Sequence, residues 1–256
     1  MFEYAGWILF GISVGIIGTL IGVGGGFLMI PVLLFCCKDK TPAVITAISL
    51  AVICVNSSSG SIAYARMKRI NYRAGLLFAA AAVPGAIAGA YLIQYIPQRV
   101  FNIIFGTILL LMGIYLFVSA RKMLKPEHEA KTFPKYNIPA GMAISTFTGL
   151  ISSLLGIGGG IIHVPMMVYL LKFPVHFATA TSHFTLAIMT FFGTLVHIYN
   201  GDLAGQWKII LLLSAGVIGG AQVGAALSQK IHGSIIIKIL SVVLALVGFR
   251  IIWQGF

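Results

Sequence analysis

Two glycine clusters are the residues of this chain whose type and spacing could do chemistry, and they could do it without side chains. Residues 17–34 read IGTLIGVGGGFLMIPVLL, and residues 151–168 read ISSLLGIGGGIIHVPMMV. A glycine-rich backbone can unwind and turn several N–H groups in one direction, and a helix that begins after it carries partial positive charge at its N-terminus. Each cluster therefore predicts an anion site made from backbone.

The two clusters match position by position, 134 residues apart. The matching glycines are Gly22, Gly24, Gly25 and Gly26 in the first copy and Gly156, Gly158, Gly159 and Gly160 in the second. Breaks at corresponding places of two apolar segments point to the binding site of a transporter built from two repeats. The alternative role of glycines is close helix packing, which we expect instead for the pairs Gly85/Gly89 and Gly220/Gly224.

Polar side chains at the predicted membrane depth could complete such a site. The candidates are Ser49, Asn56, His163, Ser182, His183 and Gln222. Ser49 and Ser182 occupy equivalent places in the two copies, and a buried Asn56 needs a partner. A protonated histidine could pair with an anion or relay a proton, whereas a neutral one would bond a backbone carbonyl. Gln222 could donate to an oxyanion or simply pack between helices.

The distribution of charge favours an anion as the ligand. The carboxylates are Glu3, Asp39, Glu127, Glu129 and Asp202, and all of them fall at loops or at the ends of apolar stretches. The absence of a deep carboxylate disfavours a cation site or a carboxylate proton relay. The net charge of +12 does not indicate nucleic-acid binding, because the basic residues lie in short loops between apolar segments.

The elements that must position these residues are membrane helices. The chain is 59% hydrophobic and 9% charged, whereas a soluble domain carries about 25% charged residues. We predict an all-α polytopic membrane protein that forms a single transmembrane domain over residues 1–256. Its predicted segments are Tyr4–Ile21 with the arm Phe27–Cys37, Pro42–Ala65, Ala74–Ile96, Arg99–Ala120, Asn137–Leu155 with the arm Ile161–Leu171, Val175–Tyr199, Trp207–Gln229 and Ser234–Trp253.

The repeat extends beyond the glycines and predicts two homologous halves of about four helical segments each. Thr46–Ser49 matches Thr179–Ser182, for example. The halves would be residues 1–120 and 136–256, joined by a basic loop over residues 121–135 that we place in the cytoplasm. We also see no removable signal peptide before the first apolar segment.

Each broken segment could either cross the membrane or turn back as a re-entrant hairpin. An unbroken helix from Ala5 to Cys37 would be about 50 Å long, whereas the hydrocarbon core is about 30 Å thick. Two hairpins would also divide the lysines and arginines more unequally between the two sides, as the positive-inside rule expects. We therefore favour the hairpin, with a single unwound crossing as the alternative.

The paired G-x-GGG-x4-P elements, each opening a half of about four apolar segments, resemble the TauE/SafE family of sulfite exporters, also called the TSUP family. The resemblance covers nearly the whole chain. It implies a transporter of sulfite, sulfonates or related organosulfur anions in the bacterial cytoplasmic membrane, with Gly22–Gly26 and Gly156–Gly160 as the matching motif positions. The chain departs from a symmetric motif at His163, because the first copy has Met29 there.

We therefore expect a secondary transporter that exports a small sulfur oxyanion or sulfonate, sulfite first, by alternating access around a mid-membrane site. The alternatives are an importer or a channel for thiosulfate, sulfate or an organosulfonate, and then an integral membrane enzyme, for which no convincing nucleophile–base or metal pattern is found. We expect no cofactor and no metal; the partners are the anion and the bilayer. The sequence leaves open whether the chain forms a homodimer.

Overall fold

The structure, a computed structural model, describes residues 2–37, 39–120 and 136–228, together with 241, 245, 246, 248, 249 and 251. The predicted basic loop over residues 121–135 and most of the predicted segment Ser234–Trp253 lie outside the described residues.

The described part of the chain is helical and contains no strand, which confirms the all-α class. Seven of its helices are long and apolar enough to cross a membrane, so the prediction of a multi-pass protein is also confirmed. The helices are α1 (Phe2–Ile21), α2 (Gly26–Cys36), α3 (Pro42–Arg66), α4 (Tyr72–Leu92), α5 (Gln98–Ala120), α6 (Ile138–Leu155), α7 (Gly160–Tyr169), α8 (Val175–Tyr199) and α9 (Trp207–Leu227). Among these nine described α-helices, α2 and α7 are too short to span.

Local sequence chemistry sets several helix starts. Thr41 accepts a hydrogen bond from the N–H of Val44, and Pro42 follows it as the first residue of α3. Asn71 and Asn137 accept in the same way at the starts of α4 and α6. A side-chain acceptor before the first turn satisfies one of the four N–H groups that a helix cannot pair internally.

The central helices are α3 and α8, which pack on each other, while α1 packs on α9 and α4 packs on α6. Small residues allow the outer pairs to approach closely. A Cβ on Gly85 would overlap the carbonyl oxygen of Thr146 on α6, and one on Gly220 would overlap that of Ile12 on α1. These glycines therefore serve helix packing, as the sequence predicted.

The first broken segment turns back on itself. Tyr4, near the start of α1, lines the same surface cavity as Lys40, which follows α2, and as Gln206 before α9. The chain thus enters and leaves this hairpin at one end of the molecule, here named the Lys40 end. Gly25 also lies against Val14, well before the end of α1, so the backbone has already reversed when α2 begins.

The second broken segment turns back at the other end of the molecule. Tyr136 precedes α6 and Phe173 follows α7, and their ring centroids are 4.9 Å apart. This end, here named the Lys172 end, also holds Phe78 in the first part of α4. The turn that follows α4 leads to Gln98, which lines a cavity with Lys40. Because the spanning helix α4 separates the two ends, the two hairpins enter from opposite ends of the molecule.

Candidate functional site

The tips of the two hairpins meet in the interior, backbone against backbone. A Cβ on Gly26, the first residue of α2, would overlap the carbonyl oxygen of Gly156 in the other tip. A Cβ on Gly160, the first residue of α7, would likewise overlap the carbonyl oxygen of Gly22. All four residues are buried. The structure thus brings the two predicted glycine clusters together, and no side chain fits between them.

The backbone of both tips leaves donors free. Gly25 has φ +90° and Gly159 has φ +68°, values that favour glycine, and each precedes the first residue of a short helix. Several tip N–H groups have no hydrogen-bond partner among the described residues: those of Gly25, Gly26 and Phe27 at the first tip and of Gly158, Gly159 and Ile161 at the second. Free N–H groups at a helix N-terminus attract negative charge.

Asn56 and His183 meet beside the first tip through Thr19. The Asn56 side-chain amide donates to the carbonyl oxygen of Gly24 at 3.0 Å, and the Thr19 hydroxyl donates to the Asn56 amide oxygen at 3.3 Å. Because that hydroxyl has a single proton, Nε2 of His183, 3.3 Å from the Thr19 oxygen, is the donor in their contact. Nδ1 of His183 is buried without a partner. This ring nitrogen is therefore an unoccupied proton acceptor.

His163, on α7, takes part in a chain of hydrogen bonds that joins three helices. The Ser145 hydroxyl donates to the carbonyl oxygen of Gly141 at 2.7 Å, so it accepts from Nε2 of His163 at 3.1 Å. Nδ1 then accepts from the hydroxyl of Ser182 at 3.2 Å. Both ring nitrogens are occupied in the neutral tautomer. The structure therefore joins two predicted site residues, His163 and Ser182, but neither offers an unused donor.

Two further predicted residues are also engaged within the protein. The Ser49 hydroxyl donates to the carbonyl oxygen of Gly156 at 2.6 Å, so it reaches the second tip but binds its backbone. The amide of Gln222 donates to the backbone oxygen of Ser59 at 2.7 Å and lies near its hydroxyl at 2.9 Å. Ser59 is on α3, so Gln222 joins α9 to α3 instead of reaching a tip. This contact favours the packing interpretation for Gln222.

Three hydroxyls near the end of α6 are not among the residues predicted from the sequence. Thr148, Ser152 and Ser153 are at most 1% exposed, and their oxygens have no hydrogen-bond partner. A comparison of the two repeats could have found Thr148 and Ser152, because the residues 134 positions earlier, Val14 and Gly18, have no hydroxyl, whereas Ser153 matches Thr19. The second copy is therefore richer in side-chain donors than the first.

The carboxylates of the described residues lie away from the tips. The carboxylates with described side chains are Asp39 and Asp202. Asp39 lies beside Lys40 in the loop after α2. Asp202 follows α8 and accepts a hydrogen bond from the buried His197 of that helix. No group of three or more His, Cys, Asp or Glu that could hold a metal ion occurs in the described part of the chain. The interior around the tips is thus polar but uncharged, which would let an anion approach without meeting a negative group.

The chain is similar to known membrane transporters over nearly its whole length. The sequence profile of the family described as sulfite exporter TauE/SafE matches residues 7–251. A probable membrane transporter of Bacillus subtilis, YunE, is 32% identical over 266 residues, with 97% of each chain covered. A probable membrane transporter of Methanocaldococcus jannaschii is 28% identical over 255 residues, covering 94% of this chain and 92% of its own. No solved structure matches.

Proposed function

This chain belongs to the sulfite exporter TauE/SafE family, and on that premise we propose that it exports a small sulfur oxyanion or sulfonate, sulfite first, as a secondary transporter. The family and its relatives, named as probable membrane transporters, make the protein a multi-pass membrane transporter. The choice of anion, the direction and the bacterial cytoplasmic membrane as its location are our proposal.

The observation that carries this proposal is the meeting of the two hairpin tips. The N-termini of α2 and α7 both lie there, each with unpartnered N–H groups, and the spanning helices around them hold no described carboxylate. Partial positive charge from the helix ends and free backbone donors suit an anion with several acceptor oxygens. A cation would find no formal negative charge there.

The architecture also supports alternating access as the mechanism. Each hairpin is anchored at one end of the molecule and meets the other hairpin at its tip. Movement of one hairpin against the other would then open the tips to one side at a time. Irregular backbone at membrane depth is typical of transporter sites, where protein or a cavity covers it.

The driving force follows from the charge of the ligand. A membrane potential that is negative inside contributes about 2.3 kcal/mol per charge and per 100 mV to the outward movement of an anion. Proton coupling is a second contribution. We propose Nδ1 of His183 as its acceptor, because this nitrogen is buried without a partner beside the first tip, whereas both nitrogens of His163 are occupied.

A flux assay tests the proposal. Purified protein is reconstituted into liposomes loaded with radiolabelled sulfite in the absence of oxygen, and efflux is followed with and without a potassium-diffusion potential that is negative inside. We expect protein-dependent efflux that the potential accelerates and that sulfate, thiosulfate or taurine inhibits to different degrees.

Other outcomes would contradict the proposal in separate ways. Protein that transports none of these four anions would overturn it. Unitary currents in planar bilayers would indicate a channel instead of an alternating-access transporter. Uptake that persists against the potential, with no efflux, would reverse the proposed direction.

A further inference from the structure

The two hairpin tips differ in the state of the hydroxyls around them. Beside the first tip, the Thr19 hydroxyl is used by Asn56 and His183. Beside the second tip, the hydroxyls of Thr148 and Ser152 on α6 are buried and make no hydrogen bond. A buried hydroxyl without a partner costs free energy unless something else satisfies it. Unpartnered hydroxyls of α6 thus lie beside the second tip, in addition to the free backbone N–H groups that both tips have.

These two hydroxyls lie where α7 begins. Thr148 and Ser152 are four residues apart and therefore share one face of α6. That face meets Gly159, the residue before α7, since a Cβ on Gly159 would lie 2.9 Å from Cγ2 of Thr148 and 3.0 Å from Cβ of Ser152. The backbone N–H groups of Gly158 and Gly159 have no partner among the described residues. Two side chains with unpartnered hydroxyls thus pack against the residue before this helix, whose own N–H is also free.

The first hairpin has the same geometry, but its matching positions carry no hydroxyl. Gly25, the residue before α2, lies against Val14, whose Cγ1 is 2.5 Å from the position of a Cβ on Gly25. A Cβ on Gly18 would also meet the backbone of Gly25. Val14 and Gly18 match Thr148 and Ser152 in the repeat, and neither carries a hydroxyl. A methyl group meets the glycine before the short helix in both hairpins, Cγ1 of Val14 in the first and Cγ2 of Thr148 in the second, but only the second hairpin has hydroxyls at these positions.

From this contrast we infer that the anion binds asymmetrically, at the N-terminus of α7, with the hydroxyls of Thr148 and Ser152 as donors beside the backbone N–H groups of Gly158 and Gly159. The inference rests on the proposed anion transport. The first tip then supports the second across the Gly26–Gly156 and Gly160–Gly22 contacts without binding the ligand itself.

This donor set defines the class of ligand. Two hydroxyls and two N–H groups beside one helix N-terminus suit an unprotonated oxyanion that presents several acceptor oxygens, such as sulfite, sulfate, thiosulfate or a sulfonate head group. The threonine and serine hydroxyls can also accept a bond, so a partly protonated anion is tolerated. A cation would find too few acceptors.

Isosteric variants separate the hydroxyl from the shape of the side chain. Thr148→Val keeps the branched shape and removes the donor, whereas Thr148→Ser keeps the donor and removes the methyl group. Ser152→Ala removes the second donor. A hydrogen bond to a charged group supports roughly tenfold or more in affinity. We therefore expect Thr148→Val and Ser152→Ala each to raise the KM for sulfite efflux about tenfold, and Thr148→Ser to keep it near the wild-type value.

Ser153→Ala is the matched control. Ser153 lies on the same helix with the same burial and the same lack of a partner, but its hydroxyl oxygen faces Gly193 on α8, 3.0 Å from the position of a Cβ there. We expect this variant to retain the wild-type KM. Thermal unfolding of each variant in detergent shows whether it is folded. If Thr148→Val does not fold, Thr148→Ser and Ser152→Ala still test the inference.

The outcomes distinguish the inference from the function on which it rests. An unchanged KM in the Thr148→Val/Ser152→Ala double variant, or an equal rise for Ser153→Ala, overturns the asymmetric site while leaving anion transport intact. A KM that depends on the shape of the side chain at position 148, raised in Thr148→Ser and normal in Thr148→Val, also overturns the asymmetric site. Wild-type protein that transports none of the four anions overturns the proposed function and this inference together.

Discussion

The hydroxyl of Ser49 on α3 donates a hydrogen bond of 2.6 Å to the carbonyl oxygen of Gly156 at the tip of the second hairpin. Both residues are buried. A central helix that packs beside the first hairpin thus holds the backbone of the second. Because the bond ends on a carbonyl of the glycine loop, Ser49 fixes the shape of the tip instead of facing a ligand.

Replacement of Ser49 by alanine should therefore reduce stability more directly than binding. The carbonyl of Gly156 would lose its side-chain donor in a place without water, at a cost of about 0.5–2 kcal/mol. We expect a lower midpoint of thermal unfolding in detergent and a sulfite KM within about twofold of the wild type. Ser58→Ala, at an exposed position of the same helix, is the control and should change neither. A large rise in KM without loss of stability would return Ser49 to the binding site.

Leucine at Gly25 or Gly159 should abolish transport. Both residues have positive φ, and a side chain at Gly25 would meet Val14, while one at Gly159 would meet Thr148 and Ser152. Such overpacking costs about 1–3 kcal/mol or more in a closed interior and displaces the tip. The measurement is sulfite flux in proteoliposomes. Gly219→Leu is the control, because nothing lies within 4 Å of a Cβ at this helical position. Normal flux in the Gly25 and Gly159 variants would refute the role of the tips.

Alanine at Gly26 and at Gly160 should show energetic coupling. Each new Cβ would overlap a carbonyl oxygen of the opposite tip, so either substitution alone must separate the two tips. Once they are separated, the second substitution meets less resistance. We expect the double variant to be less destabilised than the sum of the single variants, by about 0.5–3 kcal/mol. Chemical denaturation in detergent measures the cycle, and additive losses would mean that the tips do not press on each other.

Replacement of His163 by methionine, the residue at the matching place in the first copy, should leave anion binding intact. Both ring nitrogens of His163 bond to serine hydroxyls, so the ring joins α6, α7 and α8 and offers no free donor. Loss of the two bonds should lower stability by about 1–3 kcal/mol. Thermal unfolding and the sulfite KM, measured on the same preparation, separate the two effects. A KM that rises tenfold in a stably folded variant would make His163 a ligand residue.

Replacement of His183 by glutamine should remove any dependence of efflux on a proton gradient. A glutamine amide can still donate toward Thr19, but it has no nitrogen that accepts a proton in place of Nδ1. We expect efflux driven by the membrane potential to persist in this variant while a pH gradient no longer changes its rate. The assay compares both gradients on the wild type and the variant. A wild type that ignores the pH gradient, or a variant that still responds to it, would exclude His183 as the proton acceptor.

The helix boundaries were well predicted because they depend on local chemistry. The sequence placed the ends of the first long segments at Ile21 and Leu155, and α1 and α6 end at those residues. The short helices begin at Gly26 and Gly160, one residue before the predicted starts. Glycine at positive φ and apolar runs of spanning length act within a few residues of the chain, so one sequence is enough to read them.

The roles of the polar side chains could not be predicted in the same way. Ser49 and Ser182 hold equivalent places in the repeat, yet one donates to a backbone carbonyl and the other to a histidine. Thr148 and Ser152 could not be predicted as site residues from the sequence, because lone hydroxyls in membrane helices usually form hydrogen bonds within their own helix or to a neighbouring helix. Whether a hydroxyl is used or free depends on atoms that are distant along the chain.

By itself, the sequence determined that this is a polytopic helical protein with two glycine breaks, since hydrophobic length and glycine conformation are local properties. Its paired motif also indicated the family, which the comparisons then established. Only the tertiary structure decided that both breaks are hairpins from opposite ends, that their tips meet backbone to backbone, and that unpartnered hydroxyls lie beside the second tip. Those features arise from packing between segments far apart in the chain, where the position of one helix decides which polar atoms of another find a partner.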